Sequence, residues 1–325
     1  DAPEFVPTDA PVSSAKTTHK EPTVADVASQ AAVISADMTL SDVADVLGYT
    51  GHSSAVFVGE DGCVKGIFTE NDILKAYSEE VSSDLDADIW LRSNQARLPG
   101  FLLPMLTVDA SAPLADAAAK MATQRLTHFA CHHLLVEGGA PGCHQILSAL
   151  DITAALCNGE LGADAVGRLR SERLVSDVMK LRGTVPECKG SDPIKRAFDY
   201  LLSAEQNCAL VVQEHSNFVY GVITPRDALR AYGEHIPEGT AVGGWLRGLR
   251  AKTSKVEPRR VASNASLLEA AQAMVAGSLH HLCVVAPGTD DVVGVVSCLD
   301  IVCRIGEVRL ETPAAPGRDA HPAWQ

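Results

Sequence analysis

The sequence contains few aromatic and few basic residues. Phe, Trp and Tyr make up 5% of the 325 residues, so aliphatic side chains must fill most of the core. Lys and Arg number 27 against 41 Asp and Glu, which gives a formal net charge of −14. The longest run of bases is Arg259-Arg260, and an acidic chain is repelled by phosphate backbones unless its bases cluster on one face. We therefore expect no nucleic-acid partner.

Long hydrophobic runs and paired cysteines are also missing. No apolar stretch reaches the ~18 residues of a membrane helix, so we expect no membrane insertion. The chain begins at Asp1 rather than Met, and we expect that any targeting segment has been removed. The 9 cysteines form no CxxC pair, which favours buried thiols in a reducing compartment. The expected location is intracellular and soluble: the cytoplasm or, after removal of a transit peptide, a plastid or mitochondrial interior.

Motifs of common enzyme and metal-binding classes do not occur. The sequence has no Gly-rich P-loop, GxSxG elbow, HExxH or GxGxxG context, and we expect no catalytic residues. One segment is rich in possible metal ligands, namely His128, Cys131, His132, His133, Cys143 and His144. The spacing of these residues is unlike that of a zinc finger, and neighbouring residues of a strand point to opposite faces of the sheet. We therefore expect no metal site.

One short motif occurs four times along the chain. Its pattern is Gly, two apolar residues, Thr or Ser, two variable positions, and Asp followed by an apolar residue. The second copy has Gln145 in place of the Gly. The motif aspartates lie about 73 to 79 residues apart, and such regular spacing indicates tandem repeats. The copies are Gly66–Ile73, Gln145–Ile152, Gly221–Ala228 and Gly294–Ile301.

The same order of elements surrounds each motif. In the fourth copy, Ser266 and Glu269 have the form of a capping box, and apolar residues at helical spacing follow. Each unit is predicted to be βαββα, a mixed α/β (α+β) class, and so small a sheet needs a second unit to cover its face. We also expect lead-in helices at Val175–Leu181 and Gly243–Leu249. The predicted first strands are Ala32–Ile34, Leu106–Val108, Thr184-Val185 and Arg260–Ala262.

These features resemble the cystathionine-beta-synthase (CBS) domain family, over Thr23 to Glu307. The resemblance implies four CBS repeats in two Bateman modules, with repeats one and two in the first and three and four in the second. The gamma subunit of AMP-activated protein kinase and plant tandem-CBS proteins have this organisation. The expected segments are an N-terminal arm at 1–22, repeat one at 23–80, repeat two at 86–157, a linker at 158–173, repeat three at 174–234, repeat four at 241–307 and a C-terminal tail at 308–325.

Each motif places a hydroxyl and a carboxylate at the start of a helix. The amides and the dipole there favour an anion, the hydroxyl can donate to a phosphate oxygen, and the carboxylate can accept from the cis-diol of a ribose. The resemblance implies the same roles, with the base between apolar strands. The pattern is also a helix cap, so a purely structural role is the alternative. The candidate residues are Thr69, Asp72, Ser148, Asp151, Thr224, Asp227, Ser297 and Asp300.

The four candidate sites are not equivalent. Arg226 in repeat three can pair with phosphate as a planar fork, or it is a solvated surface residue. The resemblance implies a phosphate contact for His280, the first of two adjacent histidines in repeat four. Glu70 lies beside the expected anion position of repeat one and should weaken phosphate binding, while Gln145 puts close approach in repeat two in doubt. We therefore favour the second module as the ligand site.

Together with the resemblance, these residues predict a non-catalytic regulatory or accessory subunit. It would bind AMP, ADP or ATP as regulatory ligands, require no cofactor, and transmit occupancy to a partner protein through the angle between packed repeats. The alternative is a structural accessory subunit of a larger assembly, with empty nucleotide pockets. The arm at Asp1–Pro22, rich in Pro, Thr and Ala, is expected to contact that partner protein or complex.

Overall fold

The computed structural model describes residues 21–97, 106–126, 132–138, 143–161, 173–203, 207–216, 218–252 and 260–311. Within these ranges the chain forms 11 α-helices and 14 strands, arranged in four small sheets. The first half contains α1 (Val24–Val27), β1 (Ser29–Gln30), β2 (Ala32–Ser35), α2 (Leu40–Thr50), β3 (Ser54–Val58), β4 (Val64–Thr69), α3 (Glu70–Ser78), α4 (Ala87–Arg97), β5 (Thr107–Asp109), α5 (Leu114–Leu126), β6 (His133–Glu137), β7 (Gln145–Ser148) and α6 (Ala149–Cys157).

The second half repeats the order of the first. It contains β8 (Lys180–Leu181) between two 3₁₀ turns (Val175–Asp177 and Arg182–Thr184), then β9 (Glu187–Lys189), α7 (Ile194–Ser203), β10 (Ala209–Val212), β11 (Val219–Ile223), α8 (Pro225–Gly233), α9 (Val242–Lys252), β12 (Arg260–Ala262), α10 (Leu267–Gly277), β13 (His281–Val285), β14 (Val292–Ser297) and α11 (Cys298–Glu311). The mixed α/β class and the four βαββα units predicted from the sequence are confirmed.

Two predicted elements are wrong. The lead-in helix expected at Val175–Leu181 is a 3₁₀ turn followed by the short strand β8, because the carboxylate of Asp177 closes the turn on the amide of Leu174 at 2.9 Å. The strand expected at Thr184-Val185 lies three residues further on, as β9. The second lead-in helix is present as α9. The predicted capping box of Ser266 is also confirmed, with the Glu269 carboxylate 2.8 Å from the Ser266 amide.

Every repeat builds its sheet with the same pairing. The first strand runs parallel to the second, and the third runs antiparallel to the second, as in β2–β3–β4. The parallel pair is possible because the first helix of each repeat forms the crossover between its two strands. The third strand then leads directly into the second helix, which places the motif Thr or Ser at the end of a strand and the motif Asp in the first helical turn.

Short strands are exchanged between neighbouring repeats. β1, which precedes the first βαββα strand of repeat one, pairs with β7 of repeat two, with Ser29 opposite Ile146. β8, which precedes the first βαββα strand of repeat three, pairs with β14 of repeat four, with Lys180 opposite Val295. Because each exchanged strand completes a sheet in the neighbouring repeat, it ties the two repeats of a module together.

Four apolar clusters define how the repeats pack. One joins the sheets of repeats one and two, around Val56 and Leu135, and a second joins the sheets of repeats three and four, around Leu210 and Cys283. The two larger clusters join helices of different modules, repeat one to repeat three and repeat two to repeat four. Each module is thus held by its sheets, and the two modules dock through their helices. None of the helices in the described ranges is long and apolar enough to cross a bilayer.

Candidate functional site

The four motifs form four nearly identical helix starts. In each, one carboxylate oxygen of the motif Asp accepts hydrogen bonds from both the amide and the hydroxyl of the Thr or Ser three residues earlier. For Asp72 these distances are 2.7 and 2.8 Å, and for Asp227 they are 2.8 and 3.0 Å. Asp151 and Asp300 make the same pair of bonds. The motif is therefore a helix cap in all four repeats, as the structural alternative required.

The motif carboxylates differ between repeats in their ability to accept a further hydrogen bond. Burial raises the pKa of Asp72 and Asp227, and the bonds from their threonine partners oppose that rise. In repeat two the second carboxylate oxygen of Asp151 accepts from the hydroxyl of Ser29 at 3.1 Å. Ser29 lies on the exchanged strand β1, and the equivalent residue on the strand exchanged with repeat four, β8, is Lys180. The Asp151 site is thus already filled by the chain itself.

The motif glycines do not play one common role. At Gly66 nothing lies within 4 Å of the position that a Cβ would take, so the space beside this strand is open. At Gly294 a Cβ would collide with the carbonyl oxygen of Lys180. The close backbone approach expected at this glycine is therefore made by the exchanged strand β8.

A set of four equivalent polar residues lies at the convergence of the repeats. Each member directly precedes the residue that faces, or would face, the motif Thr or Ser across the sheet. In three repeats the backbone carbonyl of this residue accepts from the first amide of the motif helix, at 2.9 to 3.2 Å. In repeat three the motif helix begins with Pro225, which has no amide hydrogen and so cannot donate the equivalent bond. The set, called here the central cluster, is Ser53, His132, Asn207 and His280.

The central cluster connects different repeats through side-chain contacts. The Nε2 atom of His132 contacts the side-chain amide of Asn207, and Asn71 at the start of α3 donates to the Asn207 carbonyl oxygen at 3.4 Å. The neighbouring His133 places its Nε2 atom 2.7 Å from the hydroxyl of Ser53. These contacts link repeat two to repeats one and three at a single place.

The histidines at this place are buried in their neutral form. Burial lowers the pKa of His280 to about 3, and it holds the pKa of His133 and of His281 well below the usual value. The charge of Arg226 and the neighbouring His132 lower the pKa of both His133 and His280 further. Imidazole rings of repeats two and four therefore lie near one another without carrying a positive charge at neutral pH.

Arg226 is partly exposed, but its guanidinium is held by two contacts within the protein. Its Nε atom donates to the Glu70 carboxylate at 2.8 Å, and its Nη2 atom donates to the carbonyl of Gly51 at 2.8 Å. Burial raises the pKa of Glu70, and the adjacent guanidinium opposes this rise. The structure thus brings together the two residues that the sequence assigned to separate sites, one favouring and one opposing phosphate.

The predicted site residues fall into two groups. His280 is a member of the central cluster, and Arg226 and its partner Glu70 lie close to it. Each motif Asp lies in the first turn of a helix that starts there. Sequence reasoning missed Ser53 and Asn207, and it considered His132 only as a possible metal ligand. The detectable signal was the adjacent pair of histidines at the same register in repeats two and four.

The structure gives no support for a metal site among the histidines and cysteines that it describes between His128 and His144. The part of the chain that the structure describes contains no group of three or more His, Cys, Asp or Glu arranged to hold a metal ion. His128 and Cys131 lie outside the described residues. The eight cysteines within the described ranges are all free thiols.

Comparisons with known proteins agree with this architecture. A family model described as the CBS domain matches residues 24–79, 175–234 and 254–307, which together exceed half of the chain. Protein MJ1225 of Methanocaldococcus jannaschii, described as a proposed archaeal homolog of g-AMPK, superposes with a TM-score of 0.62 and 14% identity over 86% of this chain and 99% of its own. An uncharacterized conserved protein of Pyrococcus horikoshii gives a TM-score of 0.50 and 16% identity over 87% and 100%.

Among curated protein sequences, no match was found. Because the solved structures are so distant in sequence, their likeness shows the fold alone. The family model leaves out repeat two, which carries Gln145 in place of the motif glycine, yet this repeat has the same strands and helices as the other three. With three matched repeats, and a fourth built on the same plan, the chain belongs to the CBS-domain family.

Proposed function

We propose that the protein is a non-catalytic regulatory or accessory subunit that binds adenine nucleotides between its repeats and transmits their presence to a partner protein. This proposal is carried by one observation: the four helices that begin at the motifs all start beside the central cluster. This convergence gathers hydroxyl, amide, imidazole and guanidinium groups from all four repeats at one place. A ligand held there contacts both modules, so its binding energy can shift their relative position.

Each group at this place has a role suited to a nucleotide. The hydroxyls of Thr224 and Ser297, with the amides of the helix starts, would donate to phosphate oxygens. The carboxylates of Asp227 and Asp300 would accept from the ribose hydroxyls, and His280 would contact phosphate. The apolar strands would hold the base. Repeats three and four are favoured because Ser29 already bonds the equivalent carboxylate of repeat two.

One of the solved structures that share this fold supports a regulatory role. It is described as a proposed archaeal homolog of g-AMPK, and the match covers 86% of this chain and 99% of its own. The partner of the present protein, contacted through the arm at 1–22 in this proposal, would sense the angle between modules. A reducing intracellular compartment fits the free thiols of the described residues.

A structural accessory subunit with empty pockets is the second candidate. It is favoured by the fact that the motif groups already satisfy one another. Every motif Asp caps its own helix, and Arg226 pairs with Glu70. In that case the motifs would stabilise the repeats, and the outer surface would carry the function.

Calorimetric titration with AMP, ADP and ATP separates these two functions. We expect wild-type protein to release or absorb heat with at least one nucleotide, and Asp227→Asn with Asp300→Asn to weaken binding by about tenfold or more, since a hydrogen bond to a charged group is worth about 1.5–3 kcal/mol. Asp42→Asn is the matched control, because Asp42 caps α2 through Thr39 with the same geometry, at 2.9 and 2.7 Å.

The outcomes are distinct. Weaker binding in the Asp227 and Asp300 variants but not in Asp42→Asn would support the nucleotide site, because loss of a helix cap alone would affect all three. The absence of heat with every adenosine ligand would leave the structural candidate. Measurable hydrolysis of the nucleotides during the titration would contradict a non-catalytic role.

A further inference from the structure

Glu70 occupies a position that no other repeat fills with a charge. It is the first residue of α3, and the equivalent first residues of the other motif helices are Ala149, Pro225 and Cys298. The first turn of a helix attracts negative charge because its amides and dipole point outward. In repeat one, therefore, a carboxylate of the protein lies where the helix start would hold an anion.

The partner of this carboxylate comes from the opposite module. Arg226 extends from the start of α8 in repeat three to the Glu70 carboxylate at 2.8 Å, and its second donor holds the Gly51 carbonyl. The Glu70 side chain is only 11% exposed, while that of Arg226 is 32% exposed. A buried carboxylate is retained only where it is paired. The pair is thus a built contact between modules.

The charges around the pair determine what it does. Asp227 adds a second negative charge near Glu70. His133 and His280 also lie near Arg226, and burial lowers the pKa of both, so they add no positive charge at neutral pH. The guanidinium of Arg226 is therefore already paired with a carboxylate of the protein before any ligand arrives. An incoming phosphate must compete with Glu70 for the guanidinium and must also approach a carboxylate.

We propose that Glu70 is a selectivity residue that acts as a resident substitute for phosphate at Arg226 and disfavours the more highly charged nucleotides. This inference rests on the proposed nucleotide site and adds an order of affinity, with AMP favoured over ATP. A ligand with one phosphate can bind with little change to the Glu70–Arg226 pair. A triphosphate places more negative charge at the same point and must displace Glu70.

The test compares Glu70→Gln with Glu60→Gln. Gln keeps the size and hydrogen-bonding ability of the side chain and removes its charge. The control Glu60→Gln makes the same change in net charge, but Glu60 is exposed in the turn that precedes β4, at the end of this strand away from Glu70. Titrations with AMP and ATP should show about tenfold tighter ATP binding to Glu70→Gln and less than about threefold change for AMP, since like charges side by side are strongly unfavourable. Glu60→Gln should match wild type.

Two further variants keep the result interpretable. Glu70→Ala, which gives repeat one the residue found in repeat two, should reproduce the gain if Glu70→Gln folds poorly. Adding Arg226→Ala to Glu70→Gln should abolish the gain for ATP, because the released guanidinium is its source. A gain that persists without Arg226 would overturn the role assigned to the pair.

Failure of this inference is distinguishable from failure of the proposed function. If wild type binds nucleotides and Glu70→Gln changes AMP and ATP affinity equally or not at all, Glu70 is not a selectivity residue, although the nucleotide site stands. If neither wild type nor any Glu70 variant binds AMP or ATP, both proposals are wrong.

Discussion

Tyr77 and Tyr232 hold equivalent positions in repeats one and three, and each donates its hydroxyl to a backbone carbonyl just after the end of the other repeat. Tyr77 donates to Ile236 at 3.0 Å, and Tyr232 donates to Val81 at 3.2 Å. Their ring centroids lie 6.5 Å apart. This reciprocity relates the two repeats by an approximate twofold axis between the tyrosines and makes them a hydrogen-bonded part of the interface between modules.

Replacing either tyrosine by Phe should lower the free energy of unfolding by about 1 kcal/mol, because a typical intramolecular hydrogen bond contributes about that much. Urea denaturation followed by circular dichroism measures the change, with Tyr49→Phe, whose side chain is 95% exposed, as the matched control. A double variant as stable as wild type would show that these bonds add nothing to docking of the modules.

The same tyrosines provide a second readout at alkaline pH. Burial raises the pKa of both to about 12, so above pH 10 the unfolded chain loses protons that the folded protein keeps. Wild-type stability therefore falls as pH rises from about 10 to 12. The Phe variants should lose less stability over that range, which a role in packing alone does not produce.

The other interface between modules depends on close helix packing. Gly306 of α11 in repeat four faces the backbone of α5 in repeat two. A Cβ at Gly306 would lie 2.6 Å from the Ala118 carbonyl oxygen and 2.8 Å from the Ala119 Cα. Backbone atoms cannot move aside as a flexible side chain can, so this glycine fixes the distance between the two helices.

Gly306→Ala should therefore lower the free energy of unfolding by about 1–3 kcal/mol through overpacking, even though Ala is intrinsically better than Gly in a helix. Gly248→Ala in α9 is the control, because nothing lies within 4 Å of its Cβ position, and it should raise stability by up to about 1 kcal/mol. Thermal and urea unfolding of both variants measure the difference. Stabilisation by both substitutions would refute the close packing.

The repeats could be predicted from the sequence because their signals are local. The motif, the capping box of Ser266 and the apolar spacing of the helices all lie within one unit. The exchanged strands β1 and β8 were missed because two residues are too few to show a period of two. The helix expected at Val175–Leu181 failed for a related reason, since Asp177 closes a short turn that the spacing of apolar residues does not reveal.

The candidate site was only partly predictable because its contacts join distant parts of the chain. Arg226 and Glu70 are 156 residues apart, and His132 and Asn207 are 75 apart. Each of these residues has an ordinary surface role when viewed within its own repeat. Sequence also could not decide whether the motif Asp caps a helix or binds a ribose, because both roles use the same carboxylate at the same place.

His281 is a buried imidazole whose environment opposes a positive charge. Its Nδ1 atom is buried and has no hydrogen-bond partner in the described part of the chain. Burial lowers its pKa well below the usual value, and the charges of His280, His132 and Lys180 lower it further. In the unfolded chain His281 has the ordinary histidine pKa of about 6.5. Below that pH the unfolded chain therefore binds a proton at His281 that the folded protein does not bind.

Stability should consequently fall as pH drops below about 6.5, and His281→Asn should reduce that loss by up to about 1.4 kcal/mol per pH unit. Burial likewise lowers the pKa of His133 and His280, so the variant keeps part of the wild-type pH dependence. His235→Asn is the control, because His235 is exposed and has a positive φ of 50°, which Asn tolerates. Urea titrations at pH 7, 6 and 5 measure the slope, and an identical slope in wild type and His281→Asn would mean that His281 is protonated in the folded protein.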